Sequence, residues 1–230
     1  MRGYRTKVLL SALSATVLLL AGCSVAEPSV EQSTELEGSA ASEHTAEELV
    51  QVLEVQTTQH PNSQVLSDQQ LRESIPAAEA WLQELEVNPE ECGLTLSAPV
   101  AEQLEHAVMA ALQTEDSLIT LASYEDAKQL AENFDAGSER TERCSRYTVL
   151  NGSQRVAFHM AAQEVSTEAE RTVAHVLTSS DGAASEQQLL LKVADGNVMI
   201  TINQPLQNNA KDDQFQSLSQ QVNELLAALE

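Results

Sequence analysis

The three cysteines of the chain are the residues whose chemistry is easiest to define: Cys23, Cys92 and Cys144. A thiol can pair in a disulfide or react, and its compartment and surroundings decide which. In an exported protein an odd number of cysteines indicates that one thiol stays outside the internal disulfides. The sequence around each cysteine therefore has to identify the odd one.

The stretch before Cys23 has the layout of a secretory signal. The first seven residues include three basic ones, and residues 8–21 are apolar with small residues among them. This run is too short for a comfortable membrane span, which needs about 20 residues. It ends in Leu-Ala-Gly-Cys at residues 20–23, and this ending resembles the bacterial lipobox.

The lipobox resemblance implies that the leader, residues 1–22, is a lipoprotein signal peptide and that Cys23 becomes a lipidated N-terminus. In that family the thiol takes a diacylglycerol, and acyl chains such as palmitate hold the protein on a bilayer. The alternatives are an ordinary cleaved leader and an uncleaved anchor with a chance cysteine. We expect an extracytoplasmic protein whose membrane contact is the lipid on Cys23.

Cys92 and Cys144 are then the two thiols left in an exported domain, and such thiols usually pair. A bond between them would close a loop of about 52 residues and stabilise the fold by roughly 4 kcal/mol in the chain-entropy model. The alternative is two free thiols used in redox chemistry. They do not form a C-x-x-C pair, so we expect a structural disulfide.

Positive charge is concentrated in one stretch of an otherwise acidic chain, since five arginines fall between residues 140 and 171. Beside Arg140, four of them form a candidate anion-binding strip: Arg143, Arg146, Arg155 and Arg171. The alternative is salt bridging to acidic neighbours. Those neighbours include Glu139, Glu142 and Glu170.

The sequence contains no recognisable catalytic constellation. Motifs of nucleophilic hydrolases, zinc proteases, P-loop proteins and dinucleotide-binding proteins are missing. His159 and His175 could form a metal pair on neighbouring strands, but exposed strand residues are the favoured interpretation. Residues 195–197, Asp-Gly-Asn, are a turn that lacks the further ligands of a calcium loop. We expect no catalytic residue, no metal and no cofactor.

The strongly negative net charge of the chain limits the kinds of molecule that it can bind. The net charge is −23, and the leader holds three of the 12 basic residues and none of the 35 acidic ones, which leaves −26 on the mature chain. Such a surface repels nucleic acid and anionic headgroups. We expect no nucleic-acid partner, and we explain the acidity itself by solubility.

Composition also divides the mature chain. Residues 23–44 are rich in Ser and Glu and almost lack large apolar side chains. Such a segment cannot bury enough surface to order itself, so we predict that the lipidated N-terminus continues into a disordered acidic stalk. Residues 45–230 have the size of a single domain.

Helix start signals organise the first half of this domain. Three capping-box patterns begin at Thr45, Ser67 and Ser123. The second predicted helix is interrupted at Pro76, and the third stops at Gly137. After Pro76, one helix face carries Ala78, Trp81, Leu82 and Leu85.

Residues 99–123 allow two interpretations. Apolar residues at positions 100, 104, 108 and 112 fit a helix, whereas residues 118–121 are typical of a strand. We favour a helix followed by a strand. The alternative is a hairpin in which residues 108–112 pair with 118–121 across residues 114–117.

Alternating apolar residues predict an antiparallel meander in the second half. Asn151-Gly152 predicts a hairpin turn that pairs Tyr147 with Val156. Asp195-Gly196 predicts another that pairs Val193 with Val198. A strand at 171–178 and a core-facing helix at about 212–229 complete an α+β domain with an antiparallel sheet of about five strands packed with helices.

Several of these segments together resemble a known family. They are P-x-x-C at 89–92, the strand LITL, the stretch SYEDAKQLAENF, ERCSRYTV around Cys144, and DGNVMITI before a terminal helix. They resemble the extracytoplasmic sensor domain of actinobacterial PknH-type serine/threonine kinases and its stand-alone lipoprotein relatives, over roughly residues 85–228. The resemblance implies an antiparallel sheet with helices and a cleft, and a role in sensing or binding outside the cell.

We therefore expect a membrane-anchored, non-enzymatic surface lipoprotein whose sensor-like domain binds an unknown ligand or protein in the cell envelope. The alternative is an envelope lipoprotein enzyme, such as a hydrolase, with an unrecognised site.

Overall fold

The fold is built on one large β-sheet whose neighbouring strands are all antiparallel. The computed structural model describes residues 44–58, 62–93, 107–207 and 211–230, and within these residues nine strands form one antiparallel sheet. In chain order the strands are β1 (Gln64–Leu66), β2 (Glu86–Asn88), β3 (Ala107–Gln113), β4 (Leu118–Tyr124), β5 (Arg146–Asn151), β6 (Gln154–Gln163), β7 (Arg171–Ser180), β8 (Ser185–Asp195) and β9 (Val198–Pro205). Across the sheet their order is β1-β3-β4-β9-β8-β7-β6-β5-β2.

Helices pack on both faces of this sheet. They are α1 (Ala46–Gln56), α2 (Asp68–Gln83), α3 (Ala127–Arg143) and α4 (Lys211–Ala227), and a short 3₁₀ helix, Glu90–Cys92, follows β2. We call the side packed by α1 and α4 the α1 face, and the side packed by α2 and α3 the α3 face. The predicted α+β class is confirmed.

The predicted number of strands, about five, is wrong, because the sequence analysis missed β1, β2 and β3. The strands β1 and β2 have three residues each, which is too short for an alternating pattern to be visible. Both lie at the edges of the sheet, where short strands are common because they limit edge-to-edge association.

The helix favoured for the first part of residues 99–123 is wrong from residue 107 onward, where the hairpin alternative is correct, and its residues 99–106 lie outside the described residues. In β3 and β4, Leu112 pairs with Ile119 and Ala110 with Leu121 across a turn at residues 114–117. Most of β3 is buried on both faces, so its sequence is apolar throughout instead of alternating. Apolar residues four apart then imitate a helix face.

Two of the three predicted capping boxes are confirmed. The Thr45 hydroxyl accepts from the Glu48 backbone N–H at 3.2 Å, and the Thr45 N–H donates to the Glu48 carboxylate at 2.8 Å. Ser67 and Gln70 make the same reciprocal pair. The third is wrong, because Ser123 lies in β4 and the helix is capped instead by Asp126, which accepts from the N–H groups of Lys128 and Gln129.

Two predicted helix interruptions are wrong as well. The helix α2 continues through Pro76, and the residues from Pro76 to Trp81 are exposed. The carbonyl group that loses its helical partner belongs to Arg72, which is also an exposed residue. The helix α3 continues through Gly137 because Phe134 is buried before it and Cys144 after it. Burial of these two side chains stabilises the helix by more than the cost of about 1 kcal/mol that a glycine inside a helix carries.

Both predicted hairpins form, but each register differs by two residues from the prediction. Val193 pairs with Ile200 and Tyr147 with Phe158. The central turn residues are Gly196-Asn197 and Gly152-Ser153, and each glycine has a positive φ, +52° and +59°. Glycine at the first central position is the requirement of a type II′ turn, whereas the prediction assumed the Asn-Gly order of type I′. A shift of two keeps every side chain on its predicted face.

The core lies mainly between the sheet and the helices of the α1 face. There α1 and α4 cover the middle strands with fully buried residues such as Leu49, Leu53 and Val222. The apolar stripe predicted for the last helix is confirmed, since Phe215, Leu218, Val222 and Leu225 are buried. On the α3 face, Leu130 and Phe134 pack on Met109 and Met199.

The predicted signal peptide (1–22), Cys23 and residues 23–43 of the predicted stalk lie outside the described residues. Among the helices that the structure does describe, none combines the length and the apolar character that a membrane crossing needs.

Candidate functional site

Part of the α1 face has no described helix over it. The helices α1 and α4 pack over β1, β3, β4, β9, β8 and part of β7. The side chains of β2, β5 and β6 on the same face point to solvent or are half-buried. We call this region, with the adjoining ends of β7 and β8, the open half-face. Its strand residues include Glu86, Asn88, Arg146, Thr148, Leu150, Arg155, Ala157, His159, Thr178, Ser180, Ser185 and Gln187.

One polar row crosses the open half-face. Arg146 pairs with His159, His159 with Thr178, and Thr178 with Gln187. Residues directly opposite each other in antiparallel strands share a face, and adjacent strands are about 4.8 Å apart. The Gln187 Nε2 donates to Thr178 Oγ1 at 3.1 Å. The Thr178 hydroxyl thus keeps its own hydrogen for another acceptor.

Arg155 lies on the same face as Arg146, at the other end of the strand pair. It is opposite Leu150, which is four residues after Arg146 in β5. Both arginines are exposed. Within the described residues, no ion pair joins either of them to a carboxylate. Glu86, across Leu150 from Arg155, is the acidic residue among the strand positions of this region.

The structure does not place the other two arginines of the candidate strip on this surface. Arg143 is the last residue of α3, on the opposite side of the sheet. Arg171 pairs with Asp135 at 3.3 Å and with Glu170 at 3.4 Å, also on the α3 face. The candidate strip is therefore divided: Arg146 and Arg155 share a face, and the salt-bridge interpretation describes Arg171.

The two histidines considered as a metal pair lie on opposite faces. His159 is opposite Thr178 on the open half-face, whereas His175 is opposite Ala162 on the α3 face. Burial lowers the pKa of His175, and the Glu142 carboxylate acts in the other direction with a smaller effect. Among the described residues, no three His, Cys, Asp or Glu side chains gather as metal ligands would.

Behind the open half-face, on its α3 side, Cys92 and Cys144 are joined in a disulfide with their Cα atoms 5.5 Å apart. The bond connects the 3₁₀ helix after β2 to the residue between α3 and β5. Both cysteines are buried, with Tyr147, Val149 and Met160 beside them. The sulfur bridge and these side chains fill the side of β5 and β6 that is opposite the open half-face.

An aromatic pair stiffens the same layer. The rings of Tyr147 and Phe158 stack with centroids 5.0 Å apart and an interplanar angle of 10°. Burial raises the pKa of Tyr147 to about 12. The disulfide and the stacked rings of Tyr147 and Phe158 therefore stabilise β5 and β6 on the face opposite Arg146 and Arg155.

Sequence reasoning missed Thr178 and Gln187 and did not connect His159 with Arg146. The signal was present in the alternation of β6 and β7, and hairpins join Arg146 to His159 and Thr178 to Gln187. The two pairs come together in one row only through the register of His159 with Thr178, between strands that no tight turn joins. The connection between β6 and β7 does not determine that register by itself.

A shallow groove adjoins the open half-face, between the β6–β7 connection and the start of α4. Its lining includes Glu164, Ser166, Asp212 and Phe215. Two carboxylates make it an unfavourable place for an anion, in contrast to the region around Arg146 and Arg155.

Comparison with known proteins gives structural neighbours. No family model matches the chain, and no curated protein is similar to it. The crystal structure of the extracellular domain of PknH from Mycobacterium tuberculosis is similar with a TM-score of 0.46 and 13% identity, over 63% of this chain and 77% of that chain. The X-ray structure of an uncharacterised Mycobacterium smegmatis protein, an Rv0999 ortholog, has a TM-score of 0.40 and 11% identity, over 79% of this chain and 96% of that one.

The resemblance inferred from the sequence is confirmed in the sense that a PknH extracellular domain is among these neighbours. Both TM-scores are below 0.5, so the function of the open half-face has to be argued from its own residues.

Proposed function

We propose that this protein is a lipid-anchored, extracytoplasmic binding domain without enzymatic activity, and that it binds a ligand or protein of the cell envelope through the open half-face. One observation carries the proposal: Arg146 and Arg155 are exposed on a sheet face that no described helix covers, and they have no ion-pair partner among the described residues. The chain has a net charge of −23, so carboxylates that could pair with arginines are abundant, yet none among the described residues pairs with these two.

The location is supported by the leader and by the cysteines. The Leu-Ala-Gly-Cys ending at residues 20–23 follows an apolar run, which is the arrangement that lipoprotein processing requires. The Cys92–Cys144 bond is of the kind that persists outside the reducing cytosol.

Binding is favoured over catalysis by the state of the polar row. An activated nucleophile needs a base within hydrogen-bond reach. The Thr178 hydroxyl instead accepts from the Gln187 amide, and among the described residues no hydrogen bond joins it to the imidazole of His159 on the neighbouring strand. The other members of the row, Arg146 and the Gln187 amide nitrogen, are hydrogen-bond donors. A set of donors on an open surface is suited to recognising an acceptor-rich partner.

The anchor is tested with Cys23→Ala in the source bacterium. We expect the variant to lose palmitate labelling and either to leave the membrane fraction or to stay as the longer precursor. The wild-type chain and Cys92→Ser, which keeps the lipobox, serve as controls. A Cys23→Ala protein that is still processed and still sediments with membranes would refute the lipid anchor.

The binding surface is tested by chemical protection of arginines. The full chain in detergent is treated with phenylglyoxal, with and without solubilised envelope material, and each arginine is quantified by mass spectrometry. We expect the envelope material to protect Arg146 and Arg155, while Arg143, which is exposed on the other side of the sheet, reacts equally in both samples. Equal reactivity of all three would refute the open half-face as a binding surface.

A further inference from the structure

We propose that the partner of the open half-face is an acidic polysaccharide, a linear chain that carries carboxylates and hydroxyls and lies along β5 and β6 from Arg146 to Arg155. This inference rests on the proposed function and adds the chemistry of the ligand to it.

The spacing of the two arginines favours a chain over a single small anion. Arg146 and the residue opposite Arg155 are four positions apart in β5, which is about 13 Å along a strand. Two carboxylates of one chain can therefore each meet a guanidinium group. Arginine binds a carboxylate through two parallel hydrogen bonds, which also sets the direction of the ligand.

The floor between the arginines is shaped for an extended ligand. Thr148 and Ala157 are opposite each other at the central position of β5 and β6, and both side chains are small. Asn88 and Ser180 continue this central row on the neighbouring strands. A chain can thus approach the sheet between two long basic side chains without a bulky residue in its path.

The neutral polar groups fit hydroxyl groups. The central row presents a carboxamide and two hydroxyls, and the row through His159 presents an imidazole and the Thr178 hydroxyl, whose hydrogen is free for an acceptor because its oxygen already accepts from Gln187. Amide and hydroxyl side chains can both donate and accept. They are matched to a sugar hydroxyl, which also does both.

Nucleic acid is a poorer fit to the same surface. Single strands are bound by stacking bases on aromatic rings, and the strand residues of the open half-face include no Phe, Tyr or Trp. Tyr147 and Phe158 are on the opposite face, stacked on each other. The acidic remainder of the protein would also repel a long polyphosphate chain.

The negative charge elsewhere confines the ligand. Glu164 and Asp212 line the adjoining groove, and Glu86 lies beyond Leu150. A polyanion that leaves the line between the arginines meets these carboxylates. A chain whose carboxylates are separated by uncharged sugar hydroxyls meets less of this repulsion than a polyphosphate does.

The experiment measures binding of the full chain in detergent to hexagalacturonate by calorimetry. The test variant Arg146→Gln/Arg155→Gln is compared with Arg143→Gln/Arg171→Gln, which removes the same charge from the other side of the sheet. We expect the first to weaken binding by roughly a hundredfold, the loss of two charge-assisted contacts at about tenfold each, and the second to change it by less than about twofold. Galacturonate monomer and neutral maltohexaose should bind far more weakly than hexagalacturonate.

Several results would overturn the inference. They are equal weakening by the two double variants, equal affinity for the monomer and the hexamer, stronger binding of a (dT)12 oligonucleotide, or no binding of hexagalacturonate at all.

Urea unfolding of both double variants shows whether a loss of binding reflects a loss of fold, and Arg146→Gln alone provides the milder substitution if the double variant is unstable. If hexagalacturonate fails but envelope material still protects Arg146 and Arg155, the polysaccharide inference is wrong and the proposed function stands. If that protection is absent as well, both are wrong.

Discussion

The two halves of the sheet are built differently. In the half formed by β3, β4, β9 and β8, helices cover both faces, and residues such as Leu112, Leu121 and Ile200 are completely buried. In the half formed by β2, β5 and β6, buried side chains fill the α3 face, whereas no described helix covers the α1 face, where Arg146, Arg155 and His159 are exposed.

The difference is visible in the strand sequences. The strand β3, AVMAALQ, is buried along most of its length, whereas β6, QRVAFHMAAQ, alternates between exposed and less exposed residues. A sheet that is buried on both faces requires strands that are apolar along their whole length, whereas a sheet with one solvent-exposed face requires apolar and polar residues to alternate along each strand. The first half thus contributes most of the hydrophobic stabilisation, and the second half carries the exposed face that we propose as the binding surface.

The largest expected effect is the loss of the bridge that supports the second half. Cys92→Ser/Cys144→Ser should lower the free energy of unfolding by about 4 kcal/mol, the loop-closure contribution for a separation of 52 residues. Urea unfolding measures this loss. Hydrogen exchange should show that β5 loses more protection than β9, because the bond lies next to β5. If both cysteines alkylate freely in native protein without reduction, the bond is absent and this prediction is refuted.

A pair of leucines compares the halves directly. Leu191→Ala in β8 removes a completely buried side chain and should cost about 3 kcal/mol. Leu150→Ala in β5 truncates a half-buried side chain on the open half-face and should cost less than about 1 kcal/mol. Urea unfolding measures the loss of unfolding free energy in each variant. Equal losses would contradict the division of the sheet into a stabilising half and a binding half.

The smallest expected effect is a pH dependence from the covered face of the second half. Burial lowers the pKa of His175 below its ordinary value of 6.5, so the unfolded chain binds the proton more readily than the folded one. Stability should therefore fall as the pH falls through about 6.5, and it should level off below the lowered pKa. His175→Gln should remove this part of the pH profile in thermal unfolding.

Glu142 provides the matched variant for this pH effect, because its carboxylate favours the charged form of His175. Glu142→Gln should lower the pKa of His175 further, so that the loss of stability continues to lower pH than in the wild type. Identical pH profiles for the wild type, His175→Gln and Glu142→Gln would refute the burial of a titrating histidine at this position.

Particular elements show where sequence reasoning was sufficient. Thr45 and Ser67 were predictable as helix caps because a capping box is a local pair of hydrogen bonds within four residues. The last helix was predictable because Phe215, Leu218 and Val222 repeat with the helix period. The candidate site was predictable only in part, since Arg146 and Arg155 were found but were grouped with Arg143 and Arg171.

By itself, the sequence determined two helix caps, the last helix and the faces of the two predicted hairpins, because caps, helix period and alternation depend on neighbours a few residues apart. Tertiary structure alone decided that β1 and β2 complete the two edges, that the 107–113 segment is a strand, and that Thr178 and Gln187 lie beside His159. The pairs β1–β3, β2–β5 and β6–β7 join strands that no tight turn connects, and residues 107–113 look helical in sequence because most of this strand is buried on both faces. Such pairing is selected by the burial of whole faces, and no local pattern encodes it.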